Sequence, residues 1–556
     1  MSTFVVPGAL DAATQAFPIL TEAQINRIRP HGKVRKVTAG EILFEPNDTH
    51  VPFFVLLSGE VEIARPTLDG ERSVVKHAPG GFTGEISVIA GRRCMMHGRV
   101  TVPGELLELS AEELRVLVAK DAELSDIIMR AFVLRRLMLI SAGYGNVILM
   151  GSRHSAKTLN LREFLSRNGH PYTYVDLDTD ATSQDLLDRF HIKPGEIPVV
   201  ICNARTVLRN PSIKELADCL GFNVSINEVQ VRDLIIVGAG PSGLAAAVYA
   251  ASEGLNALVV EKAAPGGQAG SSSKIENYLG FPMGVSGQEL ANRATTQALK
   301  FGAQMMIARS VARLNCDRRP YEVILDDGHR LATRSIVIST GAQYNKPHIE
   351  NLAKFEGQGV YYGATYIESQ LCGDEDVVVI GGGNSAGQAA VFMSQAARKV
   401  YMLVRSGSLS DTMSRYLIQR IEENSAIELH YRTQIVGMEG DDHLERITWR
   451  DGNGETSSHN IRHLFIMTGA SPRTDWLQGC LALDNKGFIL TGRDLDTAAP
   501  PSPTWKLSRS PYMLETSLPG VFAVGDVRSG NVKRVASAVG EGSIAVHLVH
   551  RVLAEP

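Results

Sequence analysis

Apolar and polar positions divide the chain into blocks of different period. From residue 18 to about 105 they alternate, broken by glycine-rich turns, as in AGEILFEPNDTHVPFFVLLSGEVEIARPTLDGERSVVKHAPGG. A period of two puts successive side chains on opposite sheet faces, so this block predicts short strands in a small β-roll. Helical periods follow at residues 111–119 and 124–139. Residues 146–222 form a separate small unit. Its expected strands are 147–150, 172–177 and one opening at 197; its expected helices are 159–168 and 183–190. Beyond residue 231, short and wholly apolar runs alternate with helical ones, giving strands at 234–237, 257–260, 376–380 and 400–404 and a helix at 244–252. A wholly apolar run reads as a strand covered on both faces, and its alternation with helices predicts parallel sheets.

Two glycine clusters sit at the ends of such strands. Gly238, Gly240 and Gly243 fall in the spacing G-x-G-x-x-G, with Pro241 and Ser242 opening the helix. Glycines there let the backbone turn tightly and approach a pyrophosphate, whose charge lies on the helix N-terminus. Glu261 ends the second strand, with Lys262 after it, where an acid accepts hydrogen bonds from a ribose. In the second cluster DVVVI leads into Gly381, Gly382, Gly383, Asn384, Ser385 and Ala386. The strand after it ends in Arg405, and Arg415 lies close by. An acid at that strand end repels a 2′-phosphate, whereas arginine binds one. The first site therefore suits FAD and the second NADPH.

Composition narrows the class. A chain of 556 residues implies three or four domains. The net charge of -4 gives no general pull toward nucleic acid or an anionic membrane. No run of eighteen apolar residues is present, and the start lacks the basic and apolar regions of a signal peptide. The six cysteines stand far apart, with no C-x-x-C and no metal-ligand spacing, which indicates a reducing, cytoplasmic compartment.

Three stretches resemble known families. Ala39-Gly40-Glu41, Leu57-Ser58-Gly59-Glu60-Val61 and Gly84-Glu85-Ile86-Ser87 resemble the cyclic-nucleotide-binding domain of the catabolite-activator type, over residues 15–140. The resemblance implies that Glu85 holds a ribose and that an arginine further on pairs with the cyclic phosphate. Cys94 stands where that arginine belongs, and Met96 and His97 replace small residues. Burying a phosphate without a cation costs several kcal/mol, so cyclic-nucleotide binding is expected to be weak. Neither a helix-turn-helix nor a basic stripe follows, which disfavours a transcription factor. The second stretch, residues 146–222, resembles the thioredoxin/glutaredoxin fold, with Ile197-Pro198 in the place of that family's cis-proline. Gly151-Ser152-Arg153-His154-Ser155-Ala156-Lys157 occupies the position of the redox pair and holds no cysteine, so a recognition or spacer role is expected.

From Val231 onward the chain resembles low-molecular-weight thioredoxin reductase. Pro265-Gly266-Gly267-Gln268 matches the loop along FAD, and Ile275-Glu276-Asn277-Tyr278 the segment whose asparagine approaches the isoalloxazine. Thr340-Gly341 and Thr468-Gly469 match the two crossings between nucleotide domains. Gly525-Asp526 matches the aspartate that holds the ribityl chain. Arg534-Val535-Ala536 matches the R-Q-A at the flavin, with valine for glutamine. The resemblance implies a homodimer and a multidomain α/β flavoprotein with two Rossmann-like domains of three-layer ββα type. The expected division is 1–140 cyclic-nucleotide-binding-like, 141–225 thioredoxin-like, 226–348 with 478–556 FAD-binding, and 349–477 NADPH-binding. The family's C-A-T-C is replaced by Gly363-Ala364-Thr365-Tyr366, and the general acid after it falls on Ile367, with Glu368 one place later. Cys372 is the one cysteine near in sequence, and an inert role fits it better than a redox one. The expected function is an NADPH-dependent FAD oxidoreductase whose acceptor is not thioredoxin by the usual relay. Tyr366 is expected to flank the flavin. The alternative is a sensor or scaffold in which the flavin reports NADPH state to a partner protein.

Overall fold

The alternating first block builds two antiparallel sheets in the computed structural model. That structure describes residues 12–67, 70–141, 147–179, 192–202, 206–223, 226–227, 229–477, 479–497, 505 and 507–555. One sheet has Lys33–Val37, Gly104–Leu109 and Phe53–Leu56 side by side; the other has Ile42–Phe44, His97–Val102, Glu60–Thr67 and Gly70–His77. Inward residues of both, among them Phe44, Phe54, Leu56, Val61, Val100 and Leu106, share one core. The helix Ala111–Lys120 starts on a capping box, in which Ser110 and Glu113 satisfy each other's backbone N–H groups. The helix Ala122–Ser141 brings Phe132 against Phe53 and Phe82. The expected β-roll and both helices are present.

A separate four-stranded sheet follows in the order Thr206–Arg209, Val199–Cys202, Val147–Gly151, Thr173–Asp176. The pair Val147–Gly151 and Thr173–Asp176 is parallel; the other two pairings are antiparallel. All four residues of Val199–Cys202 are buried, as a central apolar strand requires. The Ile197–Pro198 peptide is cis. The helix expected at 183–190 lies outside the described residues.

The chain divides into two units, residues 1–151, 168–227 and 296–308 in one, and 152–167, 228–295 and 309–556 in the other. In the second unit, Ala257–Glu261, Arg232–Val237, Arg330–Ile338, Tyr321–Leu325 and Val311–Asn315 lie side by side. The strand Arg330–Ile338 serves two layers. Its start pairs antiparallel with Tyr321–Leu325, and its end pairs parallel with Arg232–Val237 and Val521–Ala523. A second parallel sheet orders Val360–Tyr361, His463–Ile466, Asp376–Ile380, Lys399–Val404 and Ile427–Tyr431. An antiparallel sheet of Gln434–Glu439, Arg446–Arg450 and Thr456–His459 completes this part. The chain enters and leaves it through Ala342–Tyr344 and Ala470–Pro472, which pair with each other as an antiparallel ribbon.

Chain spacing proved a poor guide to one pair of cysteines. Cys316 and Cys480, 164 residues apart, are joined in a disulfide with Cα atoms 5.9 Å apart. The two residues bracket everything between the ribbon strands. No helix among the described residues is long and apolar enough to cross a membrane.

Candidate functional site

The first glycine cluster forms a cradle at the C-terminal end of Arg232–Val237. Gly238 has φ +101°, and a Cβ on it would meet the Ser339 carbonyl oxygen at 2.5 Å. A Cβ on Gly243 would come within 2.0 Å of the Gly238 carbonyl oxygen, so this position holds the turn and helix together. Gly240 differs. It has ordinary backbone angles as the N-cap of the helix Pro241–Ser252, and a Cβ there finds nothing nearer than Gly267 Cα at 4.0 Å. The space above Gly240, faced by the free N–H groups of a helix start, fits a pyrophosphate.

Backbone N–H groups hold the Glu261 carboxylate in place. Ala239 donates to Oε2 at 2.8 Å and Ala263 to Oε1 at 2.9 Å, leaving the remaining lone pairs for ribose hydroxyls. Lys262 beside it is exposed. The loop at Gly267 closes the cradle's other side, because Gly266 donates its N–H to the Ala239 carbonyl at 2.7 Å. Gln268 donates to the Ala342 carbonyl, which ties this loop to the ribbon. Thr340 donates its hydroxyl to the Arg473 carbonyl at 3.2 Å, and Gly341 beside it has φ +64°. Asn277 is exposed.

Asp526 sits in the turn after Val521–Ala523. Glu541, from the helix Val535–Leu553, accepts the Gly525 N–H at 2.7 Å and pairs with Arg528 at 2.6 Å, which fixes the turn. Burial raises the Asp526 pKa, with Lys533 opposing the shift. A half-buried carboxyl of this kind suits hydroxyl donors better than a full counter-ion. Arg534 caps the same helix, and Val535 and Ala536 open it.

The second cluster repeats the design. Gly381 has φ +139°, with its Cβ position 2.4 Å from the Met467 carbonyl oxygen, and Gly383 caps the helix Asn384–Met393. Asn384 accepts the Ser414 N–H at 2.8 Å, and Ala386 is fully buried under the turn. Arg405 and Arg415 are exposed, and neither makes an ion pair among the described residues. Sequence reasoning missed a third arginine. Arg432 has φ +53°, and its side chain reaches the Cβ position of Gly407, with Nε at 3.4 Å, beside Arg405. It follows a different strand, so spacing gave no sign of it. Tyr344 was missed as well: burial raises its pKa, with Ser385 of the second cluster near enough to oppose the shift and Asp526 adding to it. Arg167 is a third omission, donating to the Gly267 carbonyl at 2.9 Å.

The segment Gly363-Ala364-Thr365-Tyr366 enters the helix Tyr366–Leu371. The Cβ position of Gly363 lies 4.0 Å from Ser271 Cβ, so the segment faces the end of the loop that holds Gly267. Thr365 and Glu368 form the capping box, and burial raises the Glu368 pKa. The Tyr366 side chain lies outside the described residues. Cys372 is fully buried in the core of the second parallel sheet, and burial pushes its thiol pKa far up, which disfavours the thiolate needed for exchange.

In the β-roll, Glu85 pairs with Arg136 at 3.5 Å. Cys94 faces inward, with its thiol donating to the Met96 carbonyl at 3.3 Å; burial pushes its pKa up to about 12. Arg92 stacks over the Phe222 ring at 4.6 Å, and Arg93 donates to the Cys219 carbonyl at 3.2 Å. Both arginines of this loop are thus engaged by residues 219–222.

A family model described as pyridine nucleotide-disulphide oxidoreductase matches residues 232–542, and one described as cyclic nucleotide-binding domain matches residues 34–121. The thioredoxin reductase of Mycoplasmopsis pulmonis (strain UAB CTIP) is 30% identical over 321 residues, which is 58% of this chain and 97% of the relative. That of Mycolicibacterium smegmatis is 31% identical over 326 residues, covering 58% and 97%. The crystal structure of Lactococcus lactis thioredoxin reductase in its FR conformation aligns with a TM-score of 0.52 at 26% identity, covering 58% of this chain and 100% of that one. The T. acidophilum thioredoxin reductase gives 0.51 at 28%, covering 58% and 99%.

Proposed function

The chain belongs to the pyridine nucleotide-disulphide oxidoreductase family, and from that membership we propose that it passes electrons from NADPH through FAD to an acceptor other than thioredoxin. Relatives in this family use FAD and NADPH. When bound, the two cofactors supply the hydride chemistry, and the protein's part is position and electrostatics. The helix start at Gly240 and Pro241 holds the pyrophosphate of FAD, Glu261 a ribose, and Asp526 the ribityl hydroxyls. Arg405, with Arg415 and Arg432, binds the 2′-phosphate that separates NADPH from NADH. Tyr344 and the ribbon set the distance between the two sites.

One observation carries the choice of acceptor. Gly363-Ala364-Thr365-Tyr366, facing the end of the loop that holds Gly267, contains no cysteine, and Cys372 beside it is buried. Thioredoxin reduction needs a thiolate to attack a disulfide sulfur. Electrons would then leave the flavin directly, to a quinone, a small disulfide, oxygen or a one-electron carrier. Stopped-flow mixing with NADPH should bleach the flavin, and an artificial quinone should restore it while thioredoxin does not. Rapid thioredoxin reduction by the unmodified chain overturns the reading. Gly363→Cys with Tyr366→Cys should create an NADPH-reducible disulfide.

A second reading, a redox sensor or scaffold, draws support from the cyclic nucleotide-binding domain at residues 34–121. Tight flavin with negligible turnover on every acceptor favours it. The small four-stranded sheet has the strand order and directions of a thioredoxin-like domain, and we assign residues 141–225 to that fold. The remaining boundaries follow the division 1–140, 226–348 with 478–556, and 349–477. With Cys94 turned inward and Arg92 and Arg93 engaged, cyclic nucleotide binding is expected to be weak.

A further inference from the structure

We propose that Cys202 and Cys219 form a redox-active dithiol that exchanges with small-molecule disulfides at a cleft in the first unit. Cys202 ends the central strand Val199–Cys202 and is fully buried. Cys219 ends the helix Ile213–Cys219, is half-buried, and lines a cleft of about 390 Å³ with Arg93, Thr206, Leu208 and Asp218. The two thiols are near enough for each to shift the titration of the other. They stand 17 residues apart in the chain (219 − 202), a spacing that no C-x-x-C search detects.

The surroundings divide the labour between the two sulfurs. Cys202 lies beside Cys219, and Arg93 adds a positive charge, so the Cys219 thiol is lowered from its ordinary value although burial opposes this. Cys202 is pushed the other way, first by Cys219 and then by burial. The half-buried member, which lines the cleft, is the nucleophile, and the fully buried one resolves the mixed disulfide, the arrangement that thiol–disulfide exchange requires. Among the other unpaired cysteines, Cys94 and Cys372 are both raised by burial. Arg93 reaches this place because residue 221 is glycine: a Cβ there would lie 2.5 Å from Arg93 Cγ and Cδ. A cleft of this volume takes a small ligand rather than a folded protein's disulfide.

The Cys219 thiolate attacks one sulfur of a disulfide RSSR, forming Cys219–S–S–R and releasing RS⁻. Cys202 then attacks the Cys219 sulfur and displaces the second RS⁻. Two protein thiols are oxidised to one disulfide, RSSR is reduced to two RSH, and the two thiol protons pass to the leaving groups. Neighbouring thiols need only close to a sulfur–sulfur distance of about 2.05 Å.

The test uses the full chain with bis(2-hydroxyethyl) disulfide as the probe. Intact mass should fall by the two thiol hydrogens, and peptide mapping should find Cys202 linked to Cys219. Cys202→Ser should accumulate one mercaptoethanol adduct on Cys219, released by dithiothreitol, while Cys219→Ser should form neither product. The pH midpoint of Cys219 alkylation should lie below the usual thiol value of about 8.5, and Arg93→Ala should raise it. Absence of the linked peptide, or an unchanged oxidation rate in Cys219→Ser, overturns the proposal. Faster reaction with oxidised thioredoxin than with the small probe overturns the substrate class. Circular dichroism of each variant should match that of the parent chain.

Discussion

Gly240 and Gly243 stand three residues apart and predict opposite outcomes. A Cβ at Gly240 meets no protein atom closer than the Gly267 Cα, and φ of −70° is allowed for any residue, so the bulk of a valine there enters the space assigned to the pyrophosphate. Gly240→Val should fold with an unchanged far-ultraviolet spectrum and carry less than about a tenth of the parent flavin, since losing even about 1.4 kcal/mol is tenfold in affinity. Full flavin content would show that the cradle lies elsewhere. Gly243→Val instead drives its Cβ into the Gly238 carbonyl and should not yield soluble protein. At the second site Arg405→Ala removes a charged contact worth about 1.5–3 kcal/mol, so the KM for NADPH should rise about tenfold or more while that for NADH stays put. Arg432→Ala should shift the same ratio in the same direction. Equal losses with both nucleotides would remove these arginines from the 2′-phosphate site.

The flavin cradle is as firm as the two helices behind it. Val535–Leu553 lies against Pro241–Ser252, and a Cβ on Gly542 would come within 2.2 Å of the Ser242 carbonyl oxygen. Gly542→Val should therefore cost about 1–3 kcal/mol through overpacking. The temperature of flavin release, followed by fluorescence, should drop, and the flavin should leave faster because the displaced helix carries the N–H groups assigned to the pyrophosphate. The strand–glycine–helix–strand elements of both clusters were legible in the sequence, for each rests on local rules: an apolar run, positive φ at glycine, an acid or a base at the next strand end. The helix boundaries moved by only a few residues, as with 124–139, found as Ala122–Ser141. What was not legible depends on tertiary approach. Arg432 reaches Gly407 from a different strand, Tyr344 reaches Ser385 from the ribbon, and Cys316 meets Cys480 across 164 residues. No periodicity encodes those meetings.

At the scale of the whole molecule, acid should loosen the first unit. His77 is buried with Arg135 as its charged neighbour, and its pKa falls to about 3. His170 is buried near Arg136 and Arg92 and is likewise held well below its ordinary value. In the unfolded chain both take up a proton near pH 6.5, whereas in the fold they do not. The unfolded state thus binds more protons between about pH 6.5 and 3, and stability falls as pH drops through that window. Each histidine contributes up to about 1.4 kcal/mol per pH unit. Hydrogen exchange of Phe53–Leu56 and Val199–Cys202 should accelerate between pH 7 and pH 5, and His77→Gln should flatten the response of the first strand. The bracket made by Cys316 and Cys480 bears on proteolysis. The second parallel sheet and its antiparallel partner lie wholly between these two residues, so one nick anywhere in that stretch produces two polypeptides still tied together. A nicked sample should run as one band on a non-reducing gel and as two after reduction, and damage to an exposed loop there would pass unseen wherever the thiols stay oxidised.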